Sequence, residues 1–443
     1  MNILIVGSGA REHAIAKALT KSNTHPTLFC CGQTANPGLL ALTKAYWQGQ
    51  MTEIKMMVSK AKEWSIDMAF IGPELPLEQG ITDALEAIGI GVVGPKQKLA
   101  QLETSKAFTR DLMKKFHIPG AIAHQTFHSM IGVEDALQAF GEDAYVIKAD
   151  GLMSGKGVKV GGEHLHSFAE AYSFCETLHH AGKSFLIEEK VVGQEFSLLA
   201  FCDGERCFSM PIVQDHKRAF INDIGPNTGG MGSYSDASHK LPFLTDEDIN
   251  QAQKINEAMV MALRQECGAP YRGILYGSFM VTRQGLRLIE YNARFGDPEA
   301  LNILALLESD LVCIMEALVH GRLTADLIQF KYLATVCKYA VPEGYPDDPL
   351  THFPVDISRV KHQEYLYWGS VNEVDGMYYG TSGRTVAVVG VAETIAMAEK
   401  IAEEEIRRIQ GPLYHRPDIG KPDLIQKRIH MMKELRNLPE LVG

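Results

Sequence analysis

The sequence predicts a multidomain protein of α/β and α+β type, and three observations carry that expectation. At 443 residues the chain exceeds what one hydrophobic core usually supports, so roughly two to four domains are expected. Short apolar strands alternate with amphipathic stretches over the first hundred residues. Near Thr104 the texture changes, and the chain becomes richer in strands and glycine.

The alternation runs through Ile3 to Val6, Glu12 to Leu19, Thr27 to Cys30, Ile54 to Glu63 and Met68 to Ile71. Strands separated by helical stretches predict a parallel sheet with crossover helices. A ligand crevice is then expected at the carboxyl ends of the strands. A helical stretch from Lys106 to His117 ends at Ile118-Pro119, and the chain to about Phe330 reads as α+β. A β-rich portion with a closing helix, Val391 to Ile409, fills the rest. There is no internal repeat and no low-complexity linker.

Apolar residues make up 46% and charged residues 22%, which argues against disorder. The net charge of -11 leaves no basic surplus for a phosphate backbone, so nucleic acid is not expected as a partner. Met1 to Gly7 has no positive leader and runs directly into a glycine turn, which reads as a strand rather than a signal peptide. No apolar run approaches the ~20 residues needed to span a bilayer. A cytoplasmic protein with small-molecule partners and no membrane contact is the expectation. Eight scattered cysteines without a C-x-x-C pair suggest reduced thiols rather than disulfides or zinc.

Gly7-Ser8-Gly9-Ala10-Arg11-Glu12 follows the first strand but lacks the third glycine of a dinucleotide fingerprint, and no acid follows the second strand. A nicotinamide site is disfavoured. The turn could bind one phosphate through its amides with Arg11 nearby, or serve only as a tight strand-to-helix turn. Ile71 to Leu77 places Glu74 on a loop between two prolines, where it could accept from sugar hydroxyls or simply be solvated.

Tyr145 to Val160 is the most informative stretch. Two β-type runs flank Gly151, Gly155 and Gly157, so the loop reads as a hairpin tip and not as a P-loop, and Gly157 stands where Ser or Thr would bind magnesium. A glycine-rich flap whose amides approach a triphosphate fits, with Lys148 as a point charge; an ordinary flexible hairpin is the alternative. Phe185 to Val191 reads as an edge-like strand. Glu188 and Glu195 are placed to accept from an adenine amino group and a ribose.

In Leu288 to Glu299, Glu290 and Asn292 lie two apart on a strand and share a face. They offer hard oxygen ligands for magnesium, which fills its remaining positions with water and phosphate. Arg294 continues that face and suits a carboxylate substrate, with a structural salt bridge as the rival role. Gln214 to Arg218 and Pro226 to Ser233 together make a seat for a small zwitterion and a phosphate-bearing sugar. His216 reads as structural, and His164 and His166 as solvated.

These segments, in this order, resemble the phosphoribosylamine–glycine ligase family of ATP-grasp enzymes over essentially the whole chain. The motifs are Gly7 to His13, Ile71 to Leu77, Ser105 to Thr109, Ile147 to Val158, Gln214 to Arg218, Gly225 to Ser233, Ile289 to Glu299 and Arg416 to Gly420. The resemblance implies an N-terminal α/β (pre-ATP-grasp) domain over 1–103, an ATP-grasp domain over 104–332 with a nucleotide subdomain at about 120–195, and a β-rich C-terminal domain over 333–443. It implies ligation of glycine to 5-phosphoribosylamine with ATP as cosubstrate and Mg2+ or Mn2+ as cofactor, by a monomer or homodimer.

Carried over by position, Lys106, Lys148, Glu188, Glu189, Val191 and Glu195 bind ATP, and Gly151, Ser154, Gly155, Lys156 and Gly157 cover its phosphates. Glu290 and Asn292 hold the metal. Gly9, Arg11 and Glu74 face the phosphoribosylamine, and Asn227, Thr228, Gly229, Gly230 and Asp297 also bind substrate. Asp215, Lys217 and Arg294 lie near glycine and the reacting centre. Four segments depart from the family's usual pattern: Gly7 to His13 and Cys31 to Asn36, both where the sugar phosphate is expected, Met153-Ser154-Gly155 in the flap, and the loop Val341 to Pro346. No additional metal carboxylate appears on Tyr276 to Met280. The competing enzyme class is another ATP-grasp ligase or carboxylase of purine synthesis, and the competing non-enzyme class is a silent nucleotide-binding regulator.

Overall fold

The computed structural model describes residues 1–153 and 157–437. Strands β1 (Asn2–Val6), β2 (Thr27–Gly32), β3 (Ala45–Gln48), β4 (Met68–Ile71) and β5 (Gly91–Val93) form an all-parallel sheet in the order β3-β2-β1-β4-β5. Ile3, Leu4, Ile5 and Val6 are fully buried, as a central strand covered on both faces requires. The order reverses between β1 and β4, so the turns after those strands, Gly7 to Gly9 and Gly72 to Glu74, flank the crevice where such sheets bind ligands. Glu74 is not on a loop as expected: it opens a short helix, Glu74–Glu78. The prolines permit this because Pro73 precedes the helix and Pro76 falls in its first turn, where no intrahelical N–H is required.

The helix expected over Ile54 to Glu63 has those bounds, and the next expected helix runs from Lys106 to Lys115 with the Ser105 hydroxyl capping Phe108 N. Beyond it come β6 (His124–Phe127), β7 (Tyr145–Ala149), β8 (Val158–Val160) and β9 (Phe185–Glu189), an antiparallel sheet ordered β6-β9-β7-β8. Hairpin pairing of β7 with β8 agrees with the reading of the glycine loop. The edge placement of Phe185 to Val191 is overturned: β9 lies between β6 and β7, and Phe185, Leu186 and Ile187 are fully buried. Consecutive acids at its end suggested an edge, but Glu188 is neutralised internally rather than by solvent.

The chain continues with β10 (Gly193–Asp203), β11 (Cys207–Ser209), β12 (Gln214–Asp215), the hairpin β13 (Arg218–Phe220) and β14 (Ile224–Asn227), and β15 (Gly232–Ser235). A 22-residue helix, Asp246–Cys267, leads to β16 (Arg272–Thr282) and β17 (Gly285–Asn292). Strands β11-β10-β16-β17 form a second antiparallel sheet. Its β16–β17 ladder pairs Ser278 with Glu290 but Phe279 with Leu288, leaving Ile289 as a bulge.

The C-terminal portion adds β18 (Ala334–Pro342), β19 (Phe353–Pro354), β20 (Leu366–Trp368), β21 (Val371–Val374), β22 (Met377–Gly380), β23 (Val386–Ala392) and β24 (Leu413–Tyr414). Its main sheet runs β12-β15-β18-β23-β20, with β24 beside β18, so two strands from the middle of the chain complete it. The closing helix is shorter than expected, Ile395–Ile406, because Val391 and Ala392 finish β23 and Thr394 caps the helix. A further helix, Pro422–Asn437, was not anticipated. It buries only a narrow stripe including Leu424, Ile425 and Met432, and ion pairs of Arg428 with Asp223 and Arg436 with Asp248 fasten it. No helix among the described residues is long and apolar enough to cross a membrane.

Candidate active site

The two antiparallel sheets are joined through one buried carboxylate. Glu188, on β9, accepts from Arg110 Nε through Oε1 at 2.7 Å and from Nη2 through Oε2 at 3.2 Å, and Lys148 Nζ lies 2.7 Å from Oε2. Arg110 also donates to the carbonyls of Leu288 and Ile289 at 3.1 and 2.8 Å, exploiting the β17 bulge. Burial alone would raise the pKa of Glu188, but Arg110 and Lys148 outweigh it and hold the group at about 2. The carboxylate expected to accept from adenine is thus held between two cations.

Glu195, on β10, is 2.5 Å from Lys217 Nζ and accepts from Ser278 Oγ at 2.7 Å. Glu290 faces the same space. Its burial would raise its pKa, yet Lys217, Lys148, Lys106 and Arg294 together lower it. Three lysines from separate elements thus gather around one carboxylate, a charge balance suited to a polyphosphate arriving with a divalent cation.

Glu290 and Asn292 fit such a cation. Both lie at the end of β17, and among the described residues no group of three or more His, Cys, Asp or Glu could cage a metal by itself. One carboxylate and one amide oxygen match an ion that takes its other ligands from water and phosphate. Asn292 Oδ1 accepts from Arg294 Nη2 at 3.0 Å and retains a second lone pair.

Arg294 lies two residues past the end of β17 and is enclosed by acceptors. Nε approaches Glu74 at 3.2 Å, Nη2 approaches Glu103 at 2.8 Å, and Nη1 donates to its neighbour Phe295 O at 3.2 Å. Glu103 accepts in addition from Ala293 N at 2.7 Å. Burial drives the pKa of Glu103 up to about 7, with Arg294 opposing and Glu74 reinforcing the rise. Of the two roles considered for Arg294 the salt bridge is present, and the guanidinium also adjoins Asn292.

At the first turn, Glu12 folds back onto its own helix, Ala10–Leu19. Its Oε2 accepts from Gly9 N at 2.6 Å and its Oε1 from Arg11 Nε at 2.6 Å, while Arg11 Nη1 donates to Phe295 O at 3.0 Å. The amide considered for a sugar phosphate is therefore occupied by the helix's own carboxylate. An ideal Cβ on Gly72 would lie 1.9 Å from Glu12 Oε1, so glycine there makes room for this arrangement.

Opposite, Arg384 Nη1 donates to the carbonyls of Gly229, Gly230 and Asp297 at 2.7, 3.0 and 2.8 Å, and its guanidinium lies 4.5 Å over the Tyr339 ring. Tyr339 Oη donates to Asp297 Oδ1. Thr228 N and Oγ1 donate to Lys217 O at 2.7 and 2.9 Å, tying that loop to the charged segment; Asn227 is exposed on β14. Asp215 is pushed above the usual carboxylate range by burial and by Glu299, against Lys217 and Arg384. His216 is buried against Tyr234 with neither ring nitrogen bonded, and burial holds its pKa at about 3. His164 Nδ1 accepts from Val160 N, and His166 is exposed.

Of the flap, Gly151 O accepts from Lys106 Nζ at 3.0 Å and Gly157 O from Ala149 N at 2.8 Å. Ser154, Gly155 and Lys156, expected over the phosphates, lie outside the described residues. Glu189 ends β9 and Val191 follows it, half-buried.

Three models of phosphoribosylglycinamide synthetase match in order: the N domain over residues 1–103, the ATP-grasp (A) domain over 104–300 and the C domain over 335–422. The phosphoribosylamine–glycine ligase of Methanosarcina barkeri is 47% identical over 436 residues, spanning 98% of this chain and 100% of that protein. This chain belongs to the phosphoribosylamine–glycine ligase family. The Methanocaldococcus jannaschii ligase is 46% identical over 447 residues, again spanning 98% and 100%. Among solved structures, the phosphoribosylamine–glycine ligase of Thermotoga maritima shares the fold with a TM-score of 0.79 at 24% identity, covering 94% of this chain and 100% of that one. A biotin carboxylase domain from Hydrogenobacter thermophilus, solved with MgADP and bicarbonate, superposes with a TM-score of 0.73 at 14% identity over 99% of both.

For this ligase-family chain, sequence reasoning missed Glu12, Glu103, Arg110, Ser278 and Arg384. Each contacts a residue that was singled out, or its loop, but most do so across long stretches of chain, such as the 190 residues from Glu103 to Ala293. Only Glu12 carried a local signal, standing three residues after the helix cap.

Proposed function

We propose that the chain joins glycine to 5-phosphoribosylamine with ATP, giving glycinamide ribonucleotide, ADP and phosphate in purine synthesis, through a glycyl-phosphate intermediate. The observation that carries this reading is the set of cations near Glu290: Lys148 Nζ reaches Ile289 O, Lys217 pairs with Glu195 beside Ser278, the cross-strand neighbour of Glu290, and together with Lys106 and Arg294 they lower its pKa. Lysines of that placement neutralise a triphosphate, and a guanidinium there can orient a carboxylate.

Glu290 and Asn292 would hold magnesium or manganese, which when bound offsets charge on the phosphate oxygens. Lys106 and Lys148 bind the phosphates, while Glu188 keeps Lys148 in place. Glu195, Glu189 at the end of β9 and Val191 just beyond it receive the nucleoside, with Gly151 to Gly157 over the phosphates. Arg294 turns the glycine carboxylate toward the γ-phosphorus, where oxygen attacks in line and the bond to ADP breaks. The amine of phosphoribosylamine then attacks the acyl carbon, loses a proton, and phosphate departs with one glycine oxygen. Asp215 and Lys217, with the Asn227 to Gly230 loop and Asp297, enclose glycine and the reacting centre. Gly9, Arg11 and Glu74 face the sugar. We assign the enzyme to the cytoplasm.

ADP release in the presence of freshly generated phosphoribosylamine tests the reading. Glycine should drive turnover and yield glycinamide ribonucleotide. Equal or greater release with bicarbonate or formate would favour a carboxylase or formate-using ligase instead.

A further inference from the structure

Three hydrogen bonds hold the guanidinium of Arg294: Nε to Glu74, Nη2 to Asn292 and Nη1 to Phe295 O. Glu103 Oε1 lies 2.8 Å from Nη2 as an ion-pair contact. A carboxylate taken through the Nε and Nη2 edge must therefore displace Glu74 from Nε. The two glutamates differ in how readily they can yield. Glu74 is one-third exposed at its side chain and lies 3.2 Å from Nε, whereas Glu103 is 6% exposed, lies 2.8 Å from Nη2 and is anchored by Ala293 N. Glu103 stands one residue before the end of the helix Gln97–Thr104, a rigid element outside the motif that carries Arg294.

We propose that Glu103 is the fixed partner that positions Arg294 for the carboxylate substrate, while Glu74 is the exchangeable partner, released toward the sugar as the substrates bind. The proposal rests on the ligase reading above. Glu103 acts through Arg294 and touches no reacting atom, so it is a positioning residue. Because Arg294 Nη2 serves Glu103 and Asn292 together, rotation of the guanidinium would also change the hydrogen bond received by that amide.

A double-mutant cycle tests this, with kcat and KM measured for ADP release in wild type, Glu103→Gln, Arg294→Met and the double variant. Glu103→Gln keeps an oxygen for Ala293 N while losing the charge. It should lower kcat/KM for glycine about tenfold or more with KM for ATP nearly unchanged, and it should add little on top of Arg294→Met, as residues acting as a unit do. Glu103→Asp, which keeps the charge, should recover part of the loss. Equal costs of Glu103→Gln with and without Arg294 would overturn the proposal, as would an unchanged kcat/KM. Should Glu103→Gln fold poorly, the Glu103→Asp arm is read in the same cycle. If the wild type proves to turn over with a different carboxylate or bicarbonate, the ligase reading fails, and the cycle is scored in that activity instead.

Discussion

Lys148 Nζ and Glu188 Oε2 are 2.7 Å apart on neighbouring strands, both almost wholly withdrawn from water. The pair sets a cation beside the proposed phosphate site while Arg110 also pairs with Glu188. Removing the lysine therefore leaves the carboxylate paired. Lys148→Ala should fold, and its affinity for an ATP analogue should drop about tenfold or more, since a hydrogen bond to a charged group contributes about 1.5–3 kcal/mol. Calorimetric titration checks it, and undiminished affinity would remove Lys148 from the phosphate site.

Glu290→Gln preserves shape and removes the anionic ligand. Activity should fall about a hundredfold at ordinary magnesium, because metal-borne charge stabilisation is worth several kcal/mol. A magnesium titration of ADP release reads this directly, and wild-type turnover in the variant would place the metal elsewhere.

Gly72→Ala should push Glu12 off Gly9 and Arg11, given the 1.9 Å approach of its Cβ to Glu12 Oε1. Such overpacking costs about 1–3 kcal/mol. The expected result is a lower thermal midpoint together with a raised KM for phosphoribosylamine. A variant with both values unchanged would show that the first turn adapts.

His13 is buried neutral, its Nδ1 accepting from Trp368 N at 3.0 Å, and burial followed by Lys17 lowers its pKa from 6.5 to about 3. Between those values the unfolded chain binds the extra proton, so this histidine's contribution is complete above pH 6.5 and is lost as pH falls toward 3. The slope is at most about 1.4 kcal/mol per pH unit. Thermal scans of wild type and His13→Gln from pH 7 to 4.5 should diverge in slope, the variant being flatter. Parallel curves would mean that His13 does not titrate in this window.

With glycine labelled by oxygen-18 in its carboxyl group, inorganic phosphate should acquire one labelled atom per turnover. Unlabelled phosphate beside accumulating glycinamide ribonucleotide would exclude the acyl phosphate.

Much of this architecture is legible in local sequence. The parallel sheet follows from apolar strands spaced by amphipathic helices, and the β7–β8 hairpin from two β runs about a glycine loop. What escaped was set by distant partners. Glu188 looks like the end of an edge strand until Arg110, 78 residues earlier, is brought beside it. The helix Pro422–Asn437 has a thin apolar stripe and depends on ion pairs to Asp223 and Asp248, about 190 to 205 residues before their partners. Glu103 and Arg384 belong to no motif, and only the folded chain brings them to Arg294 and Asp297.

The entry of β12 and β15 into the C-terminal sheet bears on how this protein can be taken apart. Gly232 to Ser235 pairs with Thr335 to Lys338, and an ideal Cβ on Gly232 would lie 2.2 Å from Cys337 O. A cut near residue 333 would strip β18 of one neighbour and expose an open ladder on both fragments, inviting aggregation. The C-terminal segment is therefore no interchangeable cassette: grafted from a relative, it must find a matching β15, and the two halves of a split gene should regain solubility only when produced together.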